Sequence, residues 1–167
     1  MKKFVSLVLS AILLLALCAC GGSGAKTLNG TLAEITEKAC NAADFSSASF
    51  TYMSDEYSDE VLMFTYGLED EAVCNAVEDF VLSSRSGMFA ATFAVIRFKD
   101  GSSDSVIENA RSTITEMYVT PLIGALKPYD PEQAAIAEKY QFKSYGNTLV
   151  LVICAEGADT VFNAIEG

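Results

Sequence analysis

The strongest candidate for chemistry in this sequence is the Cys20 thiol, because of the residues that precede it. Met1-Lys2-Lys3 is a short basic start, and residues 4–17 carry no charge and are mostly aliphatic. A basic segment followed by an apolar one is the layout of a signal peptide. The apolar run is shorter than the roughly 20 residues that a membrane-spanning helix needs. The pattern therefore predicts an export signal, which ends on the small residue Ala19 directly before Cys20.

The segment Leu17-Cys18-Ala19-Cys20 resembles the lipobox of bacterial lipoproteins, in which an aliphatic, a tolerant and a small residue precede the cysteine. The resemblance implies that the Cys20 thiol receives a diacylglyceryl group and that a signal peptidase cuts between Ala19 and Cys20. Cys18 fits less well, because it would put the bulky Leu17 at the small position. The alternative is an ordinary secretory signal in which Cys20 is incidental.

Lipid attachment would decide where the protein resides. Each buried methylene group adds about 0.8 kcal/mol to membrane binding, so two or more acyl chains anchor a protein firmly. We therefore expect the mature protein to begin at Cys20 and to be held on the outer, extracytoplasmic face of the cell membrane without spanning it. The Gly-rich, polar residues 20–29 are expected to form a flexible tether.

The composition disfavours several kinds of activity. The chain holds 22 acidic and 11 basic residues and no histidine. Removal of residues 1–19 takes away Lys2 and Lys3, which leaves nine basic residues and a net charge of −13. Such acidity disfavours nucleic-acid binding, which needs Lys and Arg to replace counterions on phosphates. Without histidine, the chain has no Ser-His-Asp or Cys-His pair and no imidazole for a zinc site. We expect no metal, no cofactor and no nucleic-acid partner.

Acidic residues offer a weaker candidate site. Asp55, Glu56, Asp59 and Glu60 lie close together and could bind calcium, but the Asp-x-Asp-x-Asp-Gly loop of calcium sites is missing. Acids at an exposed helix start explain the cluster more simply. Glu69-Asp70-Glu71 is interpreted as a solvated turn. A hydrolase that uses two carboxylates stays open, because acids are abundant.

Three cysteines follow Cys20, namely Cys40, Cys74 and Cys154. Three thiols cannot all pair within one chain, and their spacing gives no disulfide framework. We interpret them as small apolar residues of the core. Cys154 ends an aliphatic run and Cys40 follows Ala39, which agrees with that interpretation. A single disulfide bond is the alternative.

Strand signals are clearest in the second half of the chain. The apolar runs at residues 88–98 and 149–154 predict strands that are buried on both faces. Residues 77–82 predict a third strand and residues 140–145 a half-buried edge strand. Gly146-Asn147 is a two-residue hairpin turn between the last two strands. The Ser-rich residues 45–53 form either a loop or a short strand.

Helix signals flank these strands. A Thr31–Glu34 capping box opens a helix that ends near residue 43. A helix from Ser58 should stop at Gly67, and Pro131 should start one that reaches about residue 139. A long helix from about residue 104 has an apolar face that includes Met117, and Pro121 should kink or end it. A short terminal helix begins at about residue 159.

These elements predict an α+β domain over residues 30–167. We expect a mostly antiparallel four-stranded sheet with helices on one face, in the order α-α-β-β-α-β-β-α. Residues 1–19 form the predicted signal peptide and residues 20–29 the tether.

The second half also resembles a family of bacterial lipoproteins whose domain has no known function, DUF4358. The resemblance rests on Arg97-Phe98-Lys99-Asp100, on Arg111 in the long helix, on residues 129–133 (Tyr-Asp-Pro-Glu-Gln) and on Tyr145-Gly146-Asn147 before the last strand. The family typically has acids in the buried strand, where this chain has Thr92-Phe93-Ala94-Val95-Ile96, so any role of those acids is absent here. The resemblance implies an architecture and a location, but no activity.

Three functions are compatible with these observations. The first is a membrane-tethered binding or accessory module whose partner is a peptide, a small solute or a neighbouring envelope protein. The second is an envelope hydrolase that uses acidic residues. The third is a structural or assembly role, with Tyr52, Tyr57 and Tyr129 as candidate contact residues. We expect the first, and no enzymatic activity, because no catalytic set is recognisable.

Overall fold

A five-stranded antiparallel sheet lies at the centre of the domain, with strand order β1-β2-β3-β5-β4. The structure is a computed structural model that describes residues 26–85 and 87–167. The strands are β1 (Ala48–Tyr52), β2 (Val77–Arg85), β3 (Thr92–Phe98), β4 (Gln141–Tyr145) and β5 (Thr148–Ile153). The prediction of four strands was too low by one, because the Ser-rich segment forms the edge strand β1.

Helical elements precede the first strand, follow the last one and occupy the β1–β2 and β3–β4 connections. They are α1 (Leu32–Ala42), α2 (Ser58–Glu60) with the π-helical turn Val61–Thr65, α3 (Glu71–Ala76), α4 (Asp104–Ile114) with the π-helical turn Thr115–Val119, α5 (Thr120–Leu126), α6 (Pro131–Ala137) and α7 (Ala158–Glu166). The α+β class is confirmed. Helix α3 was not predicted, because Asp70 caps it rather than standing in a solvated turn.

Helices cover both faces of the sheet. Phe80, Ile96 and Leu151 point into the core under α4–α6, whereas their neighbours in sequence Val81 and Val95 point into a second core under α1 and α7. The prediction that helices cover one face was therefore wrong. The physical reason is that β3 and β5 are apolar on both sides and need cover on both.

Strand β3 begins later than the apolar run of the sequence suggests. It starts at Thr92, and the preceding Met88 and Phe89 lie in the β2–β3 loop with exposed side chains. Hydrophobicity alone thus extended the predicted strand by four residues beyond its hydrogen-bonded part.

The long helix passes Pro121 without ending. A π-helical turn at Thr115–Val119 precedes the proline, which is the second residue of α5. The extra residue of the turn shifts the buried face. Tyr118 and Val119 are buried, and Met117, which was expected to face the core, is 56% exposed.

Candidate ligand-binding cleft

The predicted lipid-attachment site and cleavage site, Ala19 and Cys20, lie outside the described residues. The described chain starts at Lys26, whose Nζ is 2.6 Å from Glu166 Oε2 at the end of α7. Leu28 is buried beneath α1 and α7. The last residues of the predicted tether (residues 20–29) are therefore packed against the domain.

These first residues mark one end of the sheet. Thr27 lies beside Gly146 in the β4–β5 turn, and the Arg97 guanidinium donates to the Gly30 carbonyl. We call this the tether end, defined by Lys26, Gly146 and Glu166. The opposite end, where Thr92 of β3 pairs with Ile153 of β5, is called the far end.

A cleft of about 420 Å³ opens at the far end. Its volume lies within the range of about 300–1,000 Å³ that is usual for small-molecule sites. The loops that follow α1 and β5, the loop that precedes β3, and helix α6 contribute its walls, so it joins the two faces of the sheet. The lining residues are Asp44, Ser46, Ser47, Phe89, Ala91, Gln133, Ile136, Ala155 and Glu156.

Hydrogen bonds between the loops hold the polar wall of the cleft in place. The Asp44 backbone N–H donates to Glu156 Oε1 over 3.3 Å, and the Ser46 N–H donates to Asp44 Oδ1 over 2.9 Å. On the other wall, the Ala90 N–H donates to Gln133 Oε1 over 2.8 Å. The cleft is thus formed by contacts among residues that are far apart in sequence.

The cleft is negatively charged. Hydrogen bonds from the Ser46 side chain and backbone lower the pKa of the Asp44 carboxyl, so Asp44 is ionised at neutral pH. Glu156 is the second carboxylate, and the described lining residues include no Lys or Arg. Phe89, 53% exposed, adds an aromatic surface beside these acids. The arrangement suits a ligand that carries positive charge and some apolar surface.

No spacing signal in the sequence identifies this cleft. Asp44, Gln133 and Glu156 come from three separate segments, and each is an ordinary surface residue in its local context. The signal that could have found them is the fold itself, which brings the far-end loops together.

The acids that were considered for calcium do not form a cage. Asp55, Glu56, Asp59 and Glu60 are exposed, and Asp55 instead accepts a hydrogen bond from the Tyr52 N–H over 2.7 Å. Within residues 26–85 and 87–167, no group of three or more His, Cys, Asp or Glu side chains is arranged to hold a metal ion.

The three domain cysteines are free thiols in three different environments. Cys154 is buried and Cys74 half-buried, in keeping with their interpretation as apolar residues. Cys40 is exposed, so its assignment to the core was wrong. Helix α1 turns the preceding residue, Ala39, into the core and Cys40 outward.

A second, smaller cavity of about 230 Å³ lies beside the π-helical turn at Val61–Thr65 and is mostly apolar. Its lining residues are Met53, Asp59, Leu62, Met63, Cys74, Val77 and Phe80. Two large side chains near it in sequence, Tyr57 and Phe64, are 65% and 77% exposed. Of the other tyrosines considered for contacts, Tyr129 is exposed and Tyr52 is half-buried.

A cluster of charged and polar side chains lies at the tether end. Glu166 accepts hydrogen bonds from Lys143, from Lys26 and from the Tyr145 hydroxyl, the last over 2.8 Å. These bonds lower the pKa of Glu166 to about 2. Burial, followed by the bond to Glu166, raises the pKa of the Tyr145 hydroxyl. Through Glu166 the cluster joins Lys26, at the start of the described residues, to α7 and β4.

The motifs behind the family resemblance make structural contacts. The Asn147 amide donates to the Phe98 carbonyl and to Asp100, which ties the β4–β5 turn to the end of β3. Asp130 caps α6 by accepting from the Gln133 N–H over 3.1 Å. Gln133 is the one residue of these motifs that also lines the cleft.

None of the helices in the described part of the chain is long and apolar enough to cross a bilayer.

Comparison with known proteins gives one match. The family model for DUF4358, a domain of unknown function, matches residues 46–154, which is more than half of the chain. The matched range contains all five strands, whereas α1 and α7, which cover the second face of the sheet, lie outside it. No curated protein and no solved structure matches the chain.

Proposed function

The chain belongs to the DUF4358 family, and from that premise we propose that it is a lipid-anchored lipoprotein on the extracytoplasmic face of the bacterial cell membrane, acting as a binding or accessory module. The observation that carries the proposal is Leu17-Cys18-Ala19-Cys20, placed directly after a basic start and an uncharged apolar run. These features in this order are those of a lipoprotein signal.

The cleft at the far end supports a binding role. It is large enough for a small solute or a peptide side chain, and it combines an aromatic surface with carboxylates, hydroxyls and an amide. An accessory function that used this cleft would need no catalytic residue.

The test of the anchor is intact-mass spectrometry on membrane fractions of cells that carry the wild-type protein, Cys20→Ala or Cys18→Ala. We expect the wild type and Cys18→Ala to be membrane-bound and to begin at a lipid-modified Cys20. Cys20→Ala should be released or remain unprocessed. An unmodified, soluble wild-type protein would overturn the proposal, and so would equal behaviour of the two cysteine variants.

One observation favours an envelope hydrolase as the second candidate, namely that Asp44 and Glu156 line the same cleft. Hydrolysis by a carboxylate pair needs one acid whose pKa is raised so that it can donate a proton. The pKa of Asp44 is lowered instead, so Asp44 does not meet this requirement, and Glu156 is the other carboxylate of the cleft. Release of soluble sugars from purified cell-wall glycan by the wild type, and its loss in Glu156→Gln, would establish this candidate over the first.

The exposed side chains near the smaller cavity favour an assembly role as a further alternative. Tyr57 and Phe64 are large and mostly exposed, as residues at protein contacts often are. Crosslinking on whole cells would distinguish this role, because a partner captured through Phe64 and lost in Phe64→Ser would point to the apolar surface and away from the cleft.

A further inference from the structure

The cleft and the point where the chain enters the domain lie at opposite ends of the sheet. Lys26 and Thr27 contact Glu166 and Gly146 at the tether end. The cleft is lined by Ala155, which follows β5 at the far end. Strand β5 has six residues between these ends, which corresponds to about 20 Å.

The length of the N-terminal segment then limits how the domain can sit on a membrane. Six residues lead from Cys20 to Lys26, and at about 3.5 Å per residue they span at most about 21 Å. An anchor at Cys20 therefore keeps the tether end close to the bilayer. The cleft lies at the opposite end of the sheet, about 20 Å from the tether end.

The walls of the cleft define the chemistry of a matching ligand. Asp44 and Glu156 supply two carboxylates, and both are exposed to an incoming ligand. Ser46, Ser47 and Gln133 supply hydrogen-bonding groups. No Lys or Arg occurs among the described lining residues, and the two carboxylates attract a cation.

An apolar contribution comes from the same walls. Phe89 presents an exposed ring, and Ala91 and Ile136 lie in the lining with it. An aromatic face also attracts a cation, in addition to offering apolar contact. A ligand that combines an ammonium group with an apolar part would use both kinds of surface.

We infer that the far-end cleft binds a small amine-bearing cation with an apolar portion, taken up from the medium side of the membrane. The inference rests on the proposed function for the side of the membrane on which the cleft lies. The class of ligand rests on the cleft alone, through Asp44, Glu156 and Phe89.

The experiment compares three probes of similar shape and different charge, namely phenethylamine, 2-phenylethanol and 3-phenylpropionate. Binding to the full-length mature protein, purified from membranes in detergent, is followed by ligand-observed NMR at low and at physiological salt. We expect phenethylamine to bind most tightly and 3-phenylpropionate least. The preference for the amine should shrink as salt screens the exposed carboxylates.

Charge-removing variants locate the interaction. Asp44→Asn and Glu156→Gln keep the oxygens that accept the Ser46 and Asp44 N–H bonds, so the loops should keep their shape. The double variant should weaken phenethylamine binding by roughly two- to fivefold for each exposed carboxylate. The matched control is Glu69→Gln with Glu116→Gln, which removes two exposed charges outside the cleft and should leave binding unchanged.

The outcomes separate this inference from the proposed function. The inference is overturned if phenethylamine binds no better than 2-phenylethanol. It is also overturned if the Asp44→Asn/Glu156→Gln protein binds phenethylamine as tightly as the Glu69→Gln/Glu116→Gln control does. If the double variant does not fold, the comparison of phenethylamine with 2-phenylethanol binding to the wild-type protein still tests the inference. A protein that is unlipidated yet prefers the amine would overturn the anchor while supporting the class of ligand.

Discussion

The rings of Tyr66 and Tyr118 stack with their centroids 4.5 Å apart, and each ring is placed by a π-helical turn. Tyr66 directly follows the turn Val61–Thr65, and Tyr118 lies within the turn Thr115–Val119. A π-helical turn inserts one residue and re-aims the side chains after it. The two irregular stretches of the helical layer therefore meet in one buried aromatic pair.

Both hydroxyls of this pair have partners in the sheet. The Tyr66 hydroxyl donates to the Ser83 carbonyl over 2.8 Å, and the Tyr118 hydroxyl lies 2.8 Å from Thr92 Oγ1. Burial, followed by the neighbouring Tyr118, raises the pKa of Tyr66 well above its ordinary value. The Tyr66 hydroxyl therefore keeps its proton at neutral pH and remains a hydrogen-bond donor.

We predict that Tyr118→Phe lowers the free energy of unfolding by about 1–3 kcal/mol, because it removes the partner of the buried Thr92 hydroxyl. Denaturant unfolding measures the change. Tyr129→Phe is the matched control, since Tyr129 is 81% exposed and its hydroxyl can bond to water. Equal stability of the two variants would show that the Thr92 bond contributes nothing.

Gly67 should tolerate no side chain. Its φ is +72°, and an added Cβ would lie 2.4 Å from the Cβ of Met117. We predict that Gly67→Ala costs more than the roughly 1–2 kcal/mol expected for left-handed backbone alone, because the two helical segments must also move apart. Thermal unfolding measures the loss.

Gly101→Ala isolates the backbone part of that cost. Gly101 has a similar φ of +82°, but an added Cβ would meet no atom within 4 Å. The difference between the two variants is then the steric term between Gly67 and Met117. If both alanine variants lose the same stability, the close contact of the two segments is not a constraint on the fold.

Local signals predicted much of the fold correctly. The Thr31–Glu34 capping box, the stop at Gly67 and the Gly146-Asn147 turn all occur where the sequence places them, because each depends on only a few adjacent residues. The aliphatic run of β5 likewise predicts a buried strand, since a strand at the centre of a sheet is covered on both faces.

Features of the fold that depend on residues far apart in the sequence could not be predicted from local signals. Edge strand β1 exists because β2 offers it a partner, not because Ala48–Tyr52 is strongly apolar. The exposure of Met117, which the sequence places on the apolar face together with Tyr118, accompanies a π-helical turn that no local signal predicts. The cleft depends on Asp44, Gln133 and Glu156, which only the complete fold brings together.

The short helix α3 should depend on its cap. Asp70 Oδ1 accepts from the Ala72 and Val73 N–H groups over 2.8 Å and 3.2 Å, and a helix of six residues has little other support. We predict that Asp70→Ala lowers the free energy of unfolding by about 0.5–2 kcal/mol. Glu69→Ala, one residue earlier and also exposed, should have almost no effect in the same denaturant titration. A larger loss for Glu69→Ala than for Asp70→Ala would contradict the capping role.

Glu166 should make the domain sensitive to acid. Its pKa is about 2 in the folded protein, below the ordinary value of 4.5, because Lys143, Lys26 and Tyr145 donate to its carboxylate. A group with a lowered pKa binds fewer protons in the folded than in the unfolded state, so folding weakens as the pH falls. The stabilisation is complete above about pH 4.5 and is lost as the pH falls towards about 2.

We predict that the melting temperature of Glu166→Gln falls less steeply than that of the wild type as the pH is lowered. The variant has no carboxylate charge to lose between about pH 4.5 and about pH 2. Melting temperatures measured from about pH 6 to about pH 2.5 test this. The control is Glu138→Gln, whose partner Lys127 is 2.9 Å away in an exposed pair that contributes little. The control should keep the wild-type slope. If Glu166→Gln also keeps the wild-type slope, the contacts of Glu166 do not account for the acid sensitivity. The ion pair between Lys26 and Glu166 would then contribute no stability in this pH range.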